Sequence, residues 1–215
     1  MIKLEEICFE IDHKFILKKI DLVIPENKTT IIMGKNGSGK STLLKILNQI
    51  IKPSSGKFYS EFKKPVPMLF QKPILMHNTV DYNYHILNKI KKHQIDNTWF
   101  QKFKLNNLSN QNAMSLSGGE KQKLFLARVM SFNQKILFLD EPNQNLDLDS
   151  ENLLVDLLKK EQINKTIVMT LHDFEIAKII GDFIVYMENG KILLQDFTNS
   201  FFKKFYQNNF QSIND

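Results

Sequence analysis

The chain has a single cysteine, Cys8, among 215 residues. One thiol closes no internal disulfide, which excludes the cross-braced secreted scaffolds and suits a reducing compartment. Cys8 lies in an alternating, strand-like segment and reads as a buried structural thiol. No apolar run approaches the roughly 18 residues of a bilayer span. The opening MIKLEEICFEID carries acids where a signal peptide needs an unbroken apolar stretch. Low-complexity tracts, long linkers and internal repeats are also missing. The expectation is a cytoplasmic globular chain. Charge of one sign is scarce too: the net +6 comes from 29 basic and 23 acidic residues. The lysines are spread along the chain, with only short pairs such as those at 18–19, 63–64, 91–92 and 159–160. That spread reads as solvated faces, and no nucleic-acid partner is expected.

What is present is enough apolar residue, 42% with 11% aromatic, to bury one sizeable core. Strand-like segments at Ile2–Ile11, Leu17–Ile24, Thr29–Met33, Val66–Phe70, Ile136–Leu139, Thr166–Leu171 and Phe183–Met187 alternate with helical ones at Lys40–Ile50, Ser150–Lys160 and Phe174–Ile180. That alternation predicts an α/β fold. ENGK, residues 188–191, predicts a hairpin turn by its Asn-Gly pair. From Asn78 to Gln111 the alternation stops and helical spacing takes over, which predicts an inserted helical subdomain.

The stretch IIMGKNGSGKSTLLKIL holds the most specific motif. Gly34, Gly39, Lys40 and Ser41 match the spacing G-x-x-x-x-G-K-[ST] after a β-rich run and before a helical one. Glycines at 34, 37 and 39 let the backbone curl so that successive N–H groups face phosphate oxygens. The expected nucleotide contacts run through Gly34, Lys35, Asn36, Gly37, Ser38, Gly39, Lys40, Ser41 and Thr42. Lys40 reaches the β- and γ-phosphates and the Ser41 hydroxyl binds magnesium. A glycine-rich turn before a helix is the bland alternative, and the lysine and hydroxyl in this setting argue against it.

In KILFLDEPNQNLD a buried strand delivers Asp140 and Glu141 at its end, where Pro142 stops it. Asp140 can hold magnesium through water, and Glu141 can polarise a water beside the γ-phosphate. A second oddity is LSGGEKQKLFLARVM, residues 116–130, where Gly118 and Gly119 stand at the threshold of an amphipathic helix. Glycine there costs roughly 0.8–1 kcal/mol against alanine. It marks either a plain cap or a place where an anion approaches the free N–H groups.

The phosphate loop, LSGGE and LFLDEP, in that order, resemble the ATP-binding-cassette family of ATPases, and the likeness covers nearly the whole chain. Gln71 in MLFQK resembles that family's glutamine loop, Asn145–Asp147 its D-loop and His172 in MTLHD its switch histidine. The resemblance implies one cassette over residues 1–215: a RecA-like core, a small antiparallel β-subdomain and a helical subdomain at about 78–132. It implies ATP and Mg2+ as ligands, with Ser41, Gln71 and Asp140 on the metal, Glu141 and Gln71 on the attacking water and His172 as γ-phosphate sensor. It also implies head-to-tail pairing with a second copy or a related cassette, so that Ser117, Gly118 and Gly119 cap the partner's nucleotide.

Further implications are integral membrane permease subunits docking near KPILMHNTV after Gln71, an extracytoplasmic solute-binding protein, and a peripheral place on the cytoplasmic face of the membrane. Two departures stand out. Ile11 occupies the position where an aromatic ring usually stacks on adenine, with Phe9 and Phe15 flanking it. The interval between Lys40 and Gln71 is short, which implies a trimmed β-subdomain, and no regulatory domain is expected after the last strand. A short cassette without fused spans resembles importer ATPases. MLFQKPILMHNTV resembles the glutamine-loop region of tungstate and related oxyanion importers, with amino acids or another small solute as the rival cargo.

Overall fold

A computed structural model describes residues 2–62, 66–91 and 95–207. Three strands, β1 (Ile2–Ile11), β2 (Lys14–Ile24) and, after the helix α1 (Lys40–Leu47), β4 (Ser55–Ser60), form an antiparallel sheet ordered β2-β1-β4. A second sheet of six strands is ordered β5-β6-β7-β3-β8-β9, from β3 (Thr29–Gly34), β5 (Met68–Leu69), β6 (Ile136–Asp140), β7 (Thr166–Thr170), β8 (Phe183–Glu188) and β9 (Lys191–Phe197). Its pairs are parallel except for the β8–β9 hairpin, whose turn uses Asn189 and Gly190 at positive φ.

Strand periodicity explains why this sheet lies in the middle. Ile31 and Met33 of β3, Leu137 and Leu139 of β6 and Ile184 and Tyr186 of β8 enter one core. Their neighbours Ile32, Phe138 and Val185 enter the other. Burial on both faces is what a parallel sheet requires. Helix α1 fills the second core with Leu43, Leu44, Ile46 and Leu47, between the two sheets. The first core takes the helices α2 (Val80–Lys91), α3 (Thr98–Lys102), α4 (Gly118–Met130), α5 (Leu148–Glu161), α6 (Phe174–Ile180) and α7 (Thr198–Gln207). Helices α2 to α4 cover the stretch from 80 to 130 on one side of the sheet, with 3-10 turns at Asn106–Leu108 and Ala113–Ser115 between them.

Several boundaries differ from expectation for identifiable reasons. Helix α1 stops at Leu47 instead of Ile50. The buried Asn48 amide there pairs like a strand residue with the carbonyl and N–H of Val66, both at 2.9 Å, and Gln49 turns to φ 57. The segment Val66–Phe70 keeps only two ladder residues, because Pro67 offers no N–H. Helix α5 begins two residues early, since the Asp147 carboxylate caps it through the Ser150 N–H. Cys8 is half-buried, not buried. Register shifts in β1 on both its ladders interrupt the alternation there, and its Sγ accepts the Lys19 N–H at 3.3 Å. Lys18, Lys19, Lys159 and Lys160 are exposed, while Lys63, Lys64 and Lys92 lie outside the described residues, as do Met1 and residues 208–215 of the expected cassette.

Candidate functional site

Strand β3 runs to Gly34, and the loop that follows turns directly into α1. Gly34 sits at φ 140, and a Cβ there would stand 2.1 Å from the Met187 carbonyl oxygen, so no other residue fits beside β8. Lys35, Asn36 and Gly37 form the exposed apex. Ser38 is buried: its N–H donates to Lys35 O at 3.2 Å and its carbonyl accepts the Gly190 N–H at 3.1 Å. Gly39, in the left-handed region at φ 101, starts α1, where Ser41 and Thr42 are half-buried. The buried Lys40 folds its Nζ back onto Gly34 O at 2.7 Å and Lys35 O at 3.1 Å. Burial lowers its pKa, while Glu141 and Asp140 pull in the opposite direction. A cation held only by neutral carbonyls gains from any anion brought into the loop.

At the end of β6, Asp140 is 2% exposed, and its Oδ1 accepts the Ser41 hydroxyl at 3.1 Å and the Thr170 hydroxyl at 2.7 Å. Glu141 leaves the strand at φ 50, with its N–H donated to Thr170 Oγ1 at 2.8 Å. Its carboxylate is held from both sides: Gln71 Nε2 donates to Oε2 at 3.0 Å and His172 Nε2 lies 2.9 Å from Oε1. Gln122 of α4 donates to the Pro142 carbonyl at 2.8 Å and secures the same turn. The fold therefore gathers Ser41, Gln71, Asp140, Glu141 and His172 from four separate segments. Among the described residues no three His, Cys, Asp or Glu side chains group as a metal cage. Ser41 and Asp140 offer hard oxygens in a set too small to dehydrate a cation fully, which fits magnesium carrying water and phosphate oxygens. Thr170 and Gln122 were not singled out from the sequence, although a hydroxyl two residues before His172 was a visible signal.

Ser117 caps α4 in a capping box: Ser117 Oγ accepts the Glu120 N–H at 3.3 Å, and Glu120 Oε2 accepts the Ser117 N–H at 2.8 Å. The cap leaves Ser117 and Gly118 exposed. A Cβ on Gly119 would stand 2.9 Å from the Asn145 carbonyl oxygen, so a packing demand accounts for that glycine. Among the described residues no hydrogen bond joins residues 117–120 to residues 34–42. Ile11 ends β1 and pairs with Lys14 across a turn made by Asp12 and His13, both at positive φ. It is 53% exposed and Phe15 49%, whereas Phe9 packs on the core beneath the antiparallel sheet. Strand β2 then passes the loop, with Leu17 against Gly39.

The family described as ABC transporter matches residues 17–144. The petrobactin import ATP-binding protein of Bacillus subtilis is 30% identical over 90% of this chain and 85% of its own length. The methionine import ATP-binding protein MetN 1 of Acinetobacter baylyi is 33% identical over 84% of this chain, which spans 57% of that relative. Among solved structures, a dimeric, post-hydrolysis ATP-binding cassette bound to ADP and Pi superposes with a TM-score of 0.83 at 26% identity, covering 92% of this chain and 99% of that one. The chain belongs to the ABC transporter family, as an ATP-binding cassette. Cassettes of that family bind and hydrolyse ATP.

Proposed function

We propose that this chain is the ATP-hydrolysing subunit of a membrane importer and works as half of a head-to-tail pair. The observation that carries the reading is the Glu141 carboxylate, clasped by Gln71 and His172 one residue beyond the Asp140–Ser41 contact. Lys40 exchanges the Gly34 and Lys35 carbonyls for the β- and γ-phosphates, and the N–H groups from Lys35 to Thr42 take further phosphate oxygens. Magnesium would be held by Ser41, Gln71 and, through water, Asp140, and would neutralise phosphate charge. Glu141 orients the attacking water and accepts its proton, released for that task by Gln71 and His172; His172 then faces the γ-phosphate. Ile11 touches the adenine without stacking on it.

The exposed Ser117 and the N–H groups of Gly118 and Gly119 have no partner in the chain's own phosphate loop, and we assign them to the γ-phosphate held by a second copy or a related cassette. ATP then acts as a removable bridge between two subunits. The dimeric solved relative supports this pairing. Among the described residues no helix is long and apolar enough to cross a membrane. We assign coupling to transport to integral membrane permease subunits, with the chain peripheral on their cytoplasmic face. A groove of about 1480 Å³ runs from Ser41 and Asp140 past Gln71, and its apolar part, at Ile50, Phe70, Ile74, Phe125 and Phe132, is the docking surface we assign to them. Ile74 is 82% exposed there, an apolar side chain with an obvious use for a covering partner.

Import is supported by relatives named for petrobactin, methionine and spermidine/putrescine import, and an extracytoplasmic solute-binding protein is the further partner we propose. For cargo we propose an oxyanion of the tungstate or molybdate class, on the likeness of residues 68–80 alone. The spread of those relatives' cargoes favours a second reading, another small solute. Uptake of tungstate and molybdate at nanomolar supply in cells lacking the gene separates the two: normal uptake of both ends the oxyanion reading. For the transporter assignment, tagged protein extracted in mild detergent is expected to bring a membrane-spanning subunit with it. Ile74→Asp is expected to lose that subunit while binding ATP normally. A chain recovered alone from cells producing its permease at native level contradicts the assignment.

A further inference from the structure

We propose that Thr170 is a positioning residue for ATP hydrolysis, its single hydroxyl fixing the Asp140 carboxylate and the Glu141 backbone relative to one another. The inference rests on the roles assigned above to those two acids. Thr170 ends β7, between β6 and β3, where it pairs with Asp140 on one side and Ile32 on the other, and it is 0% exposed. A hydroxyl has one proton and two lone pairs. Here the proton goes to Asp140 Oδ1 at 2.7 Å, and a lone pair takes the Glu141 N–H at 2.8 Å. One oxygen atom thereby joins the two successive carboxyl-bearing residues.

The second bond matters because of the backbone that it holds. Glu141 is at φ 50, a left-handed conformation that L-residues other than glycine adopt at a cost and that the surroundings must enforce. The Thr170 hydroxyl anchors its N–H, and Gln122 anchors the next carbonyl at Pro142. That conformation turns the Glu141 side chain toward Gln71 and His172. Valine has the shape of threonine without the oxygen. In Thr170→Val, Asp140 keeps only the Ser41 donor, the Glu141 N–H faces a methyl group, and the left-handed turn is held only from its carbonyl side, by Gln144 on Glu141 O and Gln122 on Pro142 O. The aim of Glu141 changes, while the phosphate loop, which Thr170 does not touch, is left intact.

The test compares Thr170→Val, Thr170→Ser, Glu141→Gln and Thr30→Val in the full-length protein. Thr30, on the adjacent strand β3, is equally buried, and its hydroxyl has no hydrogen-bond partner among the described residues, so Thr30→Val controls for loss of a buried oxygen. Thr170→Val is expected to lower kcat per folded molecule about 10- to 100-fold, the range for a residue that orients a metal-holding carboxylate such as Asp140, with KM for ATP within about twofold. In thermal-shift titrations at fixed ATP, the same variant is expected to need more Mg2+ for half-maximal stabilisation. Thr170→Ser restores kcat and the Mg2+ requirement, and Thr30→Val changes neither. A Thr170→Val protein with wild-type kcat and Mg2+ dependence, while Glu141→Gln is inactive, overturns the proposal and leaves the Glu141 assignment standing. An equal kcat loss in Thr30→Val also overturns it, as a general packing effect. An active Glu141→Gln removes the base and the proposal with it.

Discussion

The carbonyl oxygen of Asn145 lies 2.9 Å from the point where a Cβ on Gly119 would stand, whereas one on Gly118 would meet Asn145 at an ordinary 3.5 Å. The two glycines at the start of α4 therefore do different things. Gly119 makes room for the loop after β6, and Gly118 leaves the helix end open. Gly119→Ala is expected to force that loop outward and to cost about 1–3 kcal/mol by overpacking. Gly118→Ala is expected to fold at least as stably as the parent, since alanine is the better helix residue. Chemical denaturation of both variants checks the contrast, and equal stabilities would show that Asn145 does not press on Gly119.

The cap of α4 also makes a prediction about pH. The N–H and hydroxyl of Ser117 hold the Glu120 carboxyl below its ordinary pKa. A carboxyl whose pKa is lower folded than unfolded adds stability above its unfolded pKa and loses it as pH falls through the lowered folded value. Glu120→Gln is expected to be less stable than the parent at pH 7, and the gap is expected to close as the pH drops below the usual glutamate range. Thermal unfolding from pH 7 to pH 3 measures it. A gap that stays constant assigns the difference to packing.

Much of the candidate site could be proposed from sequence because its residues fall in short contiguous runs. Residues 34–42 need their glycines, lysine and hydroxyl at fixed spacing within one turn of chain, and Asp140 ends a five-residue buried strand that Glu141 follows. Thr170 offered one signal, a hydroxyl two residues before His172, and Gln122 none, since the turn that they hold comes beside them only in the fold. The fold shows the same division. Strands buried on both faces stood out as apolar runs, while β4, with the sequence SGKFYS, draws its place from pairing with β1. Helix α7 was hidden as well. Its Phe201, Phe202 and Phe205 join the first core, where Phe174 packs on Phe202 and Phe205 and Tyr186 packs on Phe205.

The exposed Ile11 tests how the base of the nucleotide is held. With no ring at that position, ATP and GTP are expected to bind with similar affinity. Ile11→Tyr is expected to tighten ATP severalfold, since a stacked ring is worth roughly 0.5–1.5 kcal/mol beyond area burial. Titration calorimetry with both nucleotides gives the answer. Unchanged ATP affinity in the variant would mean that Phe15, the exposed aromatic residue of the same hairpin, already meets the base.

Sedimentation velocity on Glu141→Gln, with and without MgATP, bears most directly on a hydrolytic site shared between two copies. Loss of the base is expected to cut turnover by roughly 100- to 10,000-fold and to leave ATP binding intact. The variant should therefore sediment as a monomer without nucleotide and as a stable dimer with MgATP, and adding Ser117→Arg should return it to a monomer that still binds ATP. A nucleotide-bound monomer at every concentration, together with parent ATPase activity strictly proportional to protein concentration, would contradict the shared site.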